Sequence, residues 1–349
     1  MNRIVLSLMS IILLACNPEE NSKGPDWSQF PNPKPEPEEP VNPDPKPEVP
    51  QQPTVTIITP TTQNAAPGED VTGKFYTIGM QINIDDATFS TRLKEVADAG
   101  FKYVELKLKY SYGLHNKTDE QVNATFASMQ QQMEQHGITV WSIHLPYEDK
   151  NWTSISAKES IRTQSVEYIL RALRLCAAHF KSCKTYVLHA SKSVSPSATA
   201  ISQAHKSLME MDAVAQQLGV RFCVENLVGS FCYTIDDLMA VIKPFDNVYA
   251  TFDIGHANCN GFDVVEFLKK DGTKLGTVHI HDTIFGSGDD AHLLVGEGNI
   301  DRWGEVYRTL LETNRYRGVF MFEPKDHHNA KDVMATYDRI VEDFLKTFE

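Results

Sequence analysis

The stretch Thr277-Val278-His279-Ile280-His281-Asp282 is a short apolar alternation that ends in a run of metal-type side chains. Alternation of this kind is typical of a buried strand, in which successive side chains point to opposite faces. His279 and His281 therefore share one face. Imidazole and carboxylate groups at the end of a buried strand are costly to desolvate unless they are paired or bind a metal. The stretch predicts a strand whose end is functional.

Three further apolar segments finish in the same way, each on an acidic residue. They are Phe222-Cys223-Val224-Glu225, Tyr249-Ala250-Thr251-Phe252-Asp253 and Val319-Phe320-Met321-Phe322-Glu323. Carboxylates at neighbouring strand ends repel one another unless a cation lies between them. Carboxylate and imidazole donors together suit Mn²⁺, Mg²⁺, Co²⁺ or Zn²⁺, and the donor types alone do not choose among these ions. We predict one divalent-metal site built from Glu225, Asp253, Glu323 and either His279 or His281.

From Phe75 onward, short apolar segments alternate with amphipathic stretches of helical period. The predicted strands are Tyr76–Ile82, Tyr103–Leu108, Thr139–Ile143, Thr185–His189, Arg221–Glu225, Val248–Asp253, Thr277–His281 and Val319–Glu323. The predicted helices are Thr88–Ala99, Asp119–His136, Ala157–His179, Ala198–Leu218, Ile235–Ile242, Asp263–Lys269, Asp301–Thr313 and Ala330–Phe348. Eight strand–helix units in about 275 residues match an α/β fold, the (β/α)8 TIM barrel. An open doubly wound sheet is the alternative, but no Gly-rich phosphate loop follows the first strand.

Residues 1–16 have the features of an export signal. A short basic start precedes the apolar run Ile4–Leu14, which is too short to span a bilayer comfortably. The run ends in Leu13-Leu14-Ala15-Cys16, which resembles the bacterial lipoprotein box. We therefore expect an exported lipoprotein, acylated at Cys16 and anchored to a membrane on the periplasmic side or the cell surface. An ordinary signal peptide with a chance cysteine is the alternative.

Residues 17–70 differ in composition from the rest of the chain. Of the 18 prolines, 14 precede residue 71, and they are interspersed with glutamate and aspartate. Such a segment cannot bury enough apolar surface to fold. We predict a disordered Pro/Glu-rich tether, followed by a catalytic domain over residues 71–349.

Charge and cysteine content narrow the classes of function. The net charge of −13 is unfavourable for binding nucleic acid, because neutralising phosphates requires clustered Lys and Arg side chains. The five cysteines after Cys16 show no zinc-type spacing. We expect no nucleic-acid partner, and the sequence leaves the oligomeric state open.

Several motifs together resemble the xylose isomerase-like TIM barrels, a family that includes sugar phosphate isomerases and epimerases and the endonuclease IV type of AP endonuclease. The motifs are Ser142-Ile143-His144-Leu145-Pro146-Tyr147, Phe252-Asp253-Ile254-Gly255-His256-Ala257-Asn258, His279-Ile280-His281-Asp282, Gly296-Glu297-Gly298-Asn299-Ile300-Asp301 and Phe322-Glu323-Pro324. The resemblance covers about residues 75–347. It implies a metal-dependent enzyme acting on a small carbohydrate.

The resemblance also implies roles for particular residues. In the family's sugar epimerases, a Glu, Asp, His, Glu set binds one metal, which matches Glu225, Asp253, His279 or His281, and Glu323. The metal polarises a sugar oxygen, and the two glutamates, Glu225 and Glu323, remove and return a proton at the adjacent carbon. The expected substrate-binding residues are His144, His189, His256, Lys107, Lys325 and His292. The family's keto-hexose 3-epimerases carry a Glu where this chain has Phe231, so the particular sugar does not carry over.

Two other functions stay open at this point. The endonuclease IV branch binds three zinc ions through nine residues, and the chain has a matching residue type at each one. These positions are His144, His189, Glu225, Asp253, His256, His279, Asp290, His292 and Glu323. The acidic chain and the expected export argue against a DNA substrate. A non-catalytic glycan-binding lipoprotein is the third possibility, although pure binding does not require two opposed carboxylates.

Overall fold

The computed structural model describes residues 78–84, 87–109, 114–146, 154–191, 195, 197–271, 274–314, 316, 318–325 and 327–347. The predicted signal, the predicted acylation site Cys16 and the predicted Pro/Glu-rich tether lie outside the described residues and stay predictions. Among the helices that the structure does describe, none combines the length and the apolar character that crossing a bilayer demands.

Eight parallel strands close into a barrel in chain order, which confirms the predicted fold. They are Ile78–Asn83 (β1), Tyr103–Lys107 (β2), Thr139–His144 (β3), Thr185–Leu188 (β4), Arg221–Glu225 (β5), Val248–Asp253 (β6), Leu275–Ile280 (β7) and Phe320–Phe322 (β8). The barrel closes because β8 pairs with β1, with Phe320 opposite Ile78. This closure excludes the open sheet, whose two edge strands would lack such a partner.

Helices follow the strands and cover the outside of the barrel. They are Phe89–Asp98 (α1), Asp119–His136 (α2), Glu159–His179 (α3), Ala198–Leu218 (α4), Ile235–Ile242 (α5), Ile254–Cys259 (α6), Val264–Asp271 (α7), Trp303–Glu312 (α8) and Ala330–Lys346 (α9). The eight predicted helices agree with α1–α5 and α7–α9 to within a few residues, and α6 was not predicted. Local signals explain the agreement: Thr118 and Gln121 form a capping box before α2, and Gly137 ends that helix in the left-handed conformation.

Each helix buries one apolar stripe against the strands. In α9, for example, Val333, Tyr337, Ile340, Val341 and Phe344 are buried at the spacing of a helical face. Together with the outward-facing strand residues, these side chains form the main hydrophobic core. A smaller apolar cluster of Trp141, Val319 and Met321 packs separately. The Trp141 Nε1–H also donates a hydrogen bond of 3.3 Å to Thr277 Oγ1 on β7.

A β-bulge in β3 changes which side chains enter the barrel. Val104 of β2 pairs with Val140, but the next residue, Glu105, pairs with Ser142, so Trp141 is the extra residue. Trp141 and Ser142 consequently both reach the barrel interior, where Trp141 contacts Thr277 and Ser142 contacts Glu105. Regular alternation would have sent these neighbours to opposite faces.

Candidate metal centre and active site

Four side chains from the last four strands converge at the carboxyl end of the barrel. Glu225 and Asp253 end β5 and β6, His279 lies one residue before the end of β7, and Glu323 follows β8 directly. One donor atom from each residue lies within 4.8 Å of every other, and all four residues are buried. Parallel strands of a closed barrel present their carboxyl ends on one rim, which explains the convergence.

The carboxylates surround one ring nitrogen. His279 Nδ1 lies 2.7 Å from Glu323 Oε2, 3.1 Å from Glu225 Oε1 and 3.7 Å from Asp253 Oδ2. Glu323 Oε2 is buried and makes no hydrogen bond among the described residues, despite its short distance to the ring. A buried acceptor without a donor is costly, and a divalent cation would satisfy it. The donor set and this orphaned oxygen both fit Mn²⁺, Mg²⁺, Co²⁺ or Zn²⁺.

The buried charges shift one another's proton affinities strongly. Burial disfavours the charged form of His279, but Glu105, Glu323 and Glu225 outweigh it and hold its pKa well above the ordinary histidine value. Burial likewise opposes ionisation of Asp253, yet His256 and His281 lower its pKa to about 2. Without a metal, the cluster therefore balances its carboxylates with protons on imidazoles.

The structure separates the two histidines between which the sequence did not choose. His279 lies inside the group of three carboxylates, whereas His281 lies just beyond the end of β7. His281 Nε2 approaches both oxygens of Asp253, at 2.9 and 3.0 Å. Its ring packs directly over Gly255, where any Cβ would collide with the imidazole. His279 is therefore the imidazole of the central group, whereas His281 belongs to two neighbouring groups, one with Asp253 and His256 and one with Asp290 and His292.

Three further groups of metal-type side chains adjoin the central one: His144, His189 and Glu225; Asp253, His256 and His281; and His281, Asp290 and His292. His144 Nε2 and His189 Nε2 lie 3.2 and 2.8 Å from Glu225 Oε2, and burial lowers the pKa of His189 to about 4 despite the nearby Glu225. On the other side, His256 Nε2 and His292 Nε2 lie 3.2 and 3.1 Å from Asp290 Oδ2.

Backbone carbonyl oxygens orient the rings of His256 and His292. His256 Nδ1 lies 2.8 Å from the carbonyl oxygen of Asn226, and His292 Nδ1 lies 2.8 Å from that of Glu323. A carbonyl oxygen only accepts, so each Nδ1 carries its hydrogen. Both Nε2 atoms then face Asp290, and either a proton or a metal ion must compensate its negative charge.

The two predicted lysines lie in different surroundings. Lys107 Nζ donates a hydrogen bond of 2.8 Å to Glu323 Oε1 and is almost fully buried. Among the described residues lining the central cavity of about 260 Å³, Lys107 is the only Lys or Arg. Lys325 is exposed and does not line that cavity in the described part of the chain. The structure thus brings together all the predicted metal and substrate residues except Lys325.

Two features of the site have no counterpart in the sequence prediction. Asp253 begins the short helix α6, because its Oδ1 accepts a hydrogen bond of 2.6 Å from the backbone N–H of His256. Asp282 is fully buried and accepts hydrogen bonds from the backbone N–H groups of Thr283, Gly296 and Ile300. Asp282 thereby closes the loop that carries Asp290 and His292. An acidic residue directly after a strand indicates a functional or structural role. The sequence does not show which role, because the hydrogen-bond partners of Asp282 lie up to 18 residues away.

Comparisons with known proteins agree with this architecture. An uncharacterised protein of Methanocaldococcus jannaschii is 31% identical over 212 residues, which cover 57% of this chain and 70% of that relative. A solved structure of a D-tagatose 3-epimerase-like protein aligns with a TM-score of 0.61 and 23% identity, over 77% of this chain and 98% of its own. An L-ribulose 3-epimerase aligns with a TM-score of 0.61 and 17% identity, over 77% of this chain and 94% of its own.

At this level of identity the two structural alignments establish the fold. The family model described as the xylose isomerase-like TIM barrel matches residues 93–342, which include all ten residues of the four metal-type groups. The chain belongs to the xylose isomerase-like TIM barrel family.

Proposed function

We propose that this protein is a divalent-metal-dependent isomerase or epimerase of a small carbohydrate. The observation that carries the proposal is that two glutamates from different strands both reach His279, the imidazole of the central group. Glu225 ends β5, and Glu323 follows β8. Each has one oxygen at the central group, 3.1 and 2.7 Å from His279 Nδ1. The solved structures similar to this chain include a D-tagatose 3-epimerase-like protein and an L-ribulose 3-epimerase, which supports the same class of reaction.

The residues that would hold the metal are Glu225, Asp253, His279 and Glu323. A divalent metal held there would polarise a sugar oxygen and make the neighbouring C–H more acidic. One glutamate then removes the proton, and the other returns a proton to the opposite face of the same carbon, which inverts it. Return to the adjacent carbon instead gives aldose–ketose isomerisation.

The second oxygen of each glutamate is held by a cationic or hydrogen-bonding partner. Glu225 Oε2 contacts His144 and His189, and Glu323 Oε1 accepts from Lys107. Burial alone would raise the pKa of Glu323, but Lys107 and His279 hold it well below its ordinary value. Glu323 is therefore ionised and can accept a proton. His144, His189, His256 and His292 line the cavity and can bind substrate hydroxyl groups.

We further propose that the substrate is an unphosphorylated sugar, keto-sugar or glycoside met outside the cytoplasm. The export signal over residues 1–16 and its lipid-box cysteine, Cys16, support this location. Sugar phosphates are scarce there, and no Gly-rich phosphate loop was found in the sequence. The lipid on Cys16 would anchor the enzyme to the membrane, and the tether would hold the barrel away from its surface.

The test is solvent-hydrogen exchange. Purified Mn²⁺-loaded protein is incubated in D₂O with a panel of aldoses, ketoses and keto-glycosides, and deuterium incorporation is measured by mass spectrometry. We expect incorporation into at least one sugar, and its loss in Glu323→Gln. Glu342→Gln, which changes an exposed glutamate on α9, is the matched control. Stoichiometric metal with no exchange into any sugar would contradict the proposal.

One observation favours a second candidate, a multi-zinc phosphodiester hydrolase. The nine residues that match the endonuclease IV pattern all lie in the four adjacent groups of metal-type side chains. Against a nucleic-acid substrate, Lys107 is the only Lys or Arg among the described residues that line the cavity. Metal analysis after purification without chelators separates the two candidates: about one ion per chain supports the isomerase, and three support the hydrolase.

A further inference from the structure

A buried carboxylate on β2 lies outside the four-residue ligand group. Glu105 has no solvent exposure, and it is not among the residues lining the central cavity. Burying an ionised carboxylate is costly unless several donors compensate it. Three do so: Gln81 Nε2 donates to Oε1 at 2.8 Å, Ser142 Oγ donates to Oε2 at 2.6 Å, and His279 Nε2 lies 3.2 Å from Oε2.

These contacts determine which nitrogen of His279 carries a hydrogen. An ionised carboxylate only accepts hydrogen bonds, so the Nε2 atom facing Glu105 must donate. A neutral imidazole offers a lone pair from one nitrogen only. With Nε2 protonated, the lone pair is on Nδ1, the atom that faces Glu225, Asp253 and Glu323.

The fold makes this arrangement specific. Glu105 receives hydrogen bonds from β1, β3 and β7 at once, through Gln81, Ser142 and His279. Ser142 reaches it because the bulge at Trp141 shifts the register of β3 by one residue. The carboxylate is therefore fixed on both oxygens, and it can fix the imidazole in turn.

We infer that Glu105 is a positioning residue of the metal site: it locks His279 in the tautomer and ring orientation that present Nδ1 to the metal. The inference rests on the metal site of the proposed function. Glu105 is not itself a ligand, because it contacts the opposite nitrogen of the ring from the three carboxylates. It is also too deeply buried to touch a substrate in the cavity.

The experiment measures metal affinity, not sugar turnover. Metal-free full-length protein is titrated with Mn²⁺ by calorimetry and with Co²⁺ by visible absorption. Glu105→Gln keeps an acceptor for His279, and Glu105→Leu removes it. Losing a hydrogen-bond partner behind a metal-binding histidine typically lowers affinity about 10- to 100-fold, so we expect about 10-fold for Gln and about 100-fold for Leu.

The Co²⁺ spectrum provides a readout that general destabilisation would not change. The visible bands depend on the imidazole donor, so they should shift in the Glu105 variants. Asp212→Asn is the matched control, because Asp212 is a buried carboxylate on α4 that binds Asn247 and Gln216 instead of the site. We expect the control to keep wild-type affinity and spectrum.

The outcomes separate this inference from the proposed function. Wild-type affinity in Glu105→Leu would overturn the positioning role and leave the metal site intact. If Glu105→Leu does not fold, Glu105→Gln decides, and an affinity within twofold of wild type would overturn the role. Absence of Mn²⁺ and Co²⁺ binding by the wild-type protein would overturn both.

Discussion

Strands β5–β8 and strands β1–β3 supply the same end of the barrel with different kinds of side chain. The later strands end in Glu225, Asp253, His279 and Glu323, whose donor atoms face one another. The earlier strands supply Lys107, which contacts Glu323, and Glu105, which contacts His279. They also supply Gln81 and Ser142, which donate hydrogen bonds to Glu105. One half of the barrel can bind a metal, and the other half holds its ligands in place.

The difference shows how a symmetric fold builds an asymmetric site. Every strand of a barrel points toward the same rim, and here the four donors come from the consecutive strands β5–β8. The strands across the barrel reach the site through long side chains. Lys107 meets Glu323 and Glu105 meets His279, so each half touches the other at charged atoms.

The largest expected effect comes from removing a carboxylate of the ligand half. Glu225→Gln keeps the shape of the side chain but abolishes its negative charge and its capacity to exchange protons. General acid–base groups contribute about 10²- to 10⁴-fold, so we expect solvent-deuterium incorporation into the substrate to fall about 10³-fold. Mass spectrometry measures the exchange. A loss below tenfold would show that Glu225 does not transfer the proton.

The convergence of these side chains was predictable from the sequence, because its signal is local. A buried apolar run that ends in Glu or Asp is visible without any knowledge of distant residues, and Glu225, Asp253 and Glu323 all end such runs. The barrel followed from the same alternation. The strand bounds differ by a few residues; for example, β7 begins at Leu275 and not at Thr277.

The positioning half was less predictable, because its signals are not local. A bulge is a property of two paired strands, so no pattern within β3 alone shows that Ser142 faces Glu105. The choice between His279 and His281 also needed the structure, since both occupy the same face of an alternating strand. Asp282 organises a loop through backbone groups 14 and 18 residues away, a spacing that no short motif describes.

The second prediction concerns His279, where the two halves meet. In the metal-free protein its pKa is well above the ordinary value, so it holds a proton that a metal must displace. This proton stabilises the metal-free fold below the unfolded pKa, and the stabilisation is lost as pH rises through the folded pKa. Because the metal competes with this proton for His279, the metal affinity rises as the pH rises.

We expect Mn²⁺ affinity to rise with pH from about pH 6 upward, by about tenfold per pH unit while His279 is protonated. Calorimetry in buffers of different ionisation enthalpy should also show at least one proton released per Mn²⁺. Affinity that is flat or falls over this range would show that His279 does not need to lose a proton to bind metal.

The third prediction tests the contact between Lys107 and Glu323. Burial raises the pKa of Glu323, and the positive charge of Lys107 lowers it, together with His279. In Lys107→Met the pKa of Glu323 should rise, so the acid limb of the pH–rate profile should move to higher pH. The expected loss of exchange at neutral pH is about tenfold, because the carboxylate itself remains.

Lys325→Met is the control for that variant. Lys325 follows β8, as Glu323 does, but its side chain is exposed. Its pH–rate profile should match the wild type. An unshifted acid limb in Lys107→Met would mean that the lysine binds substrate without influencing Glu323, and the positioning half would then be limited to the contacts of Glu105.

The smallest expected effect is that of Ser142→Ala, which removes one of the three donors to Glu105. Gln81 and His279 remain bonded to the carboxylate, so the lost hydrogen bond should lower the free energy of unfolding by about 1 kcal/mol. Mn²⁺ affinity should fall by less than the tenfold expected for Glu105→Gln. The control is Ser165→Ala, because Ser165 is also buried but bonds only to the backbone of Ile161 in α3. Equal Mn²⁺ affinities in the two serine variants would show that Glu105 holds His279 without help from the bulged strand, which would confine the positioning role to β2.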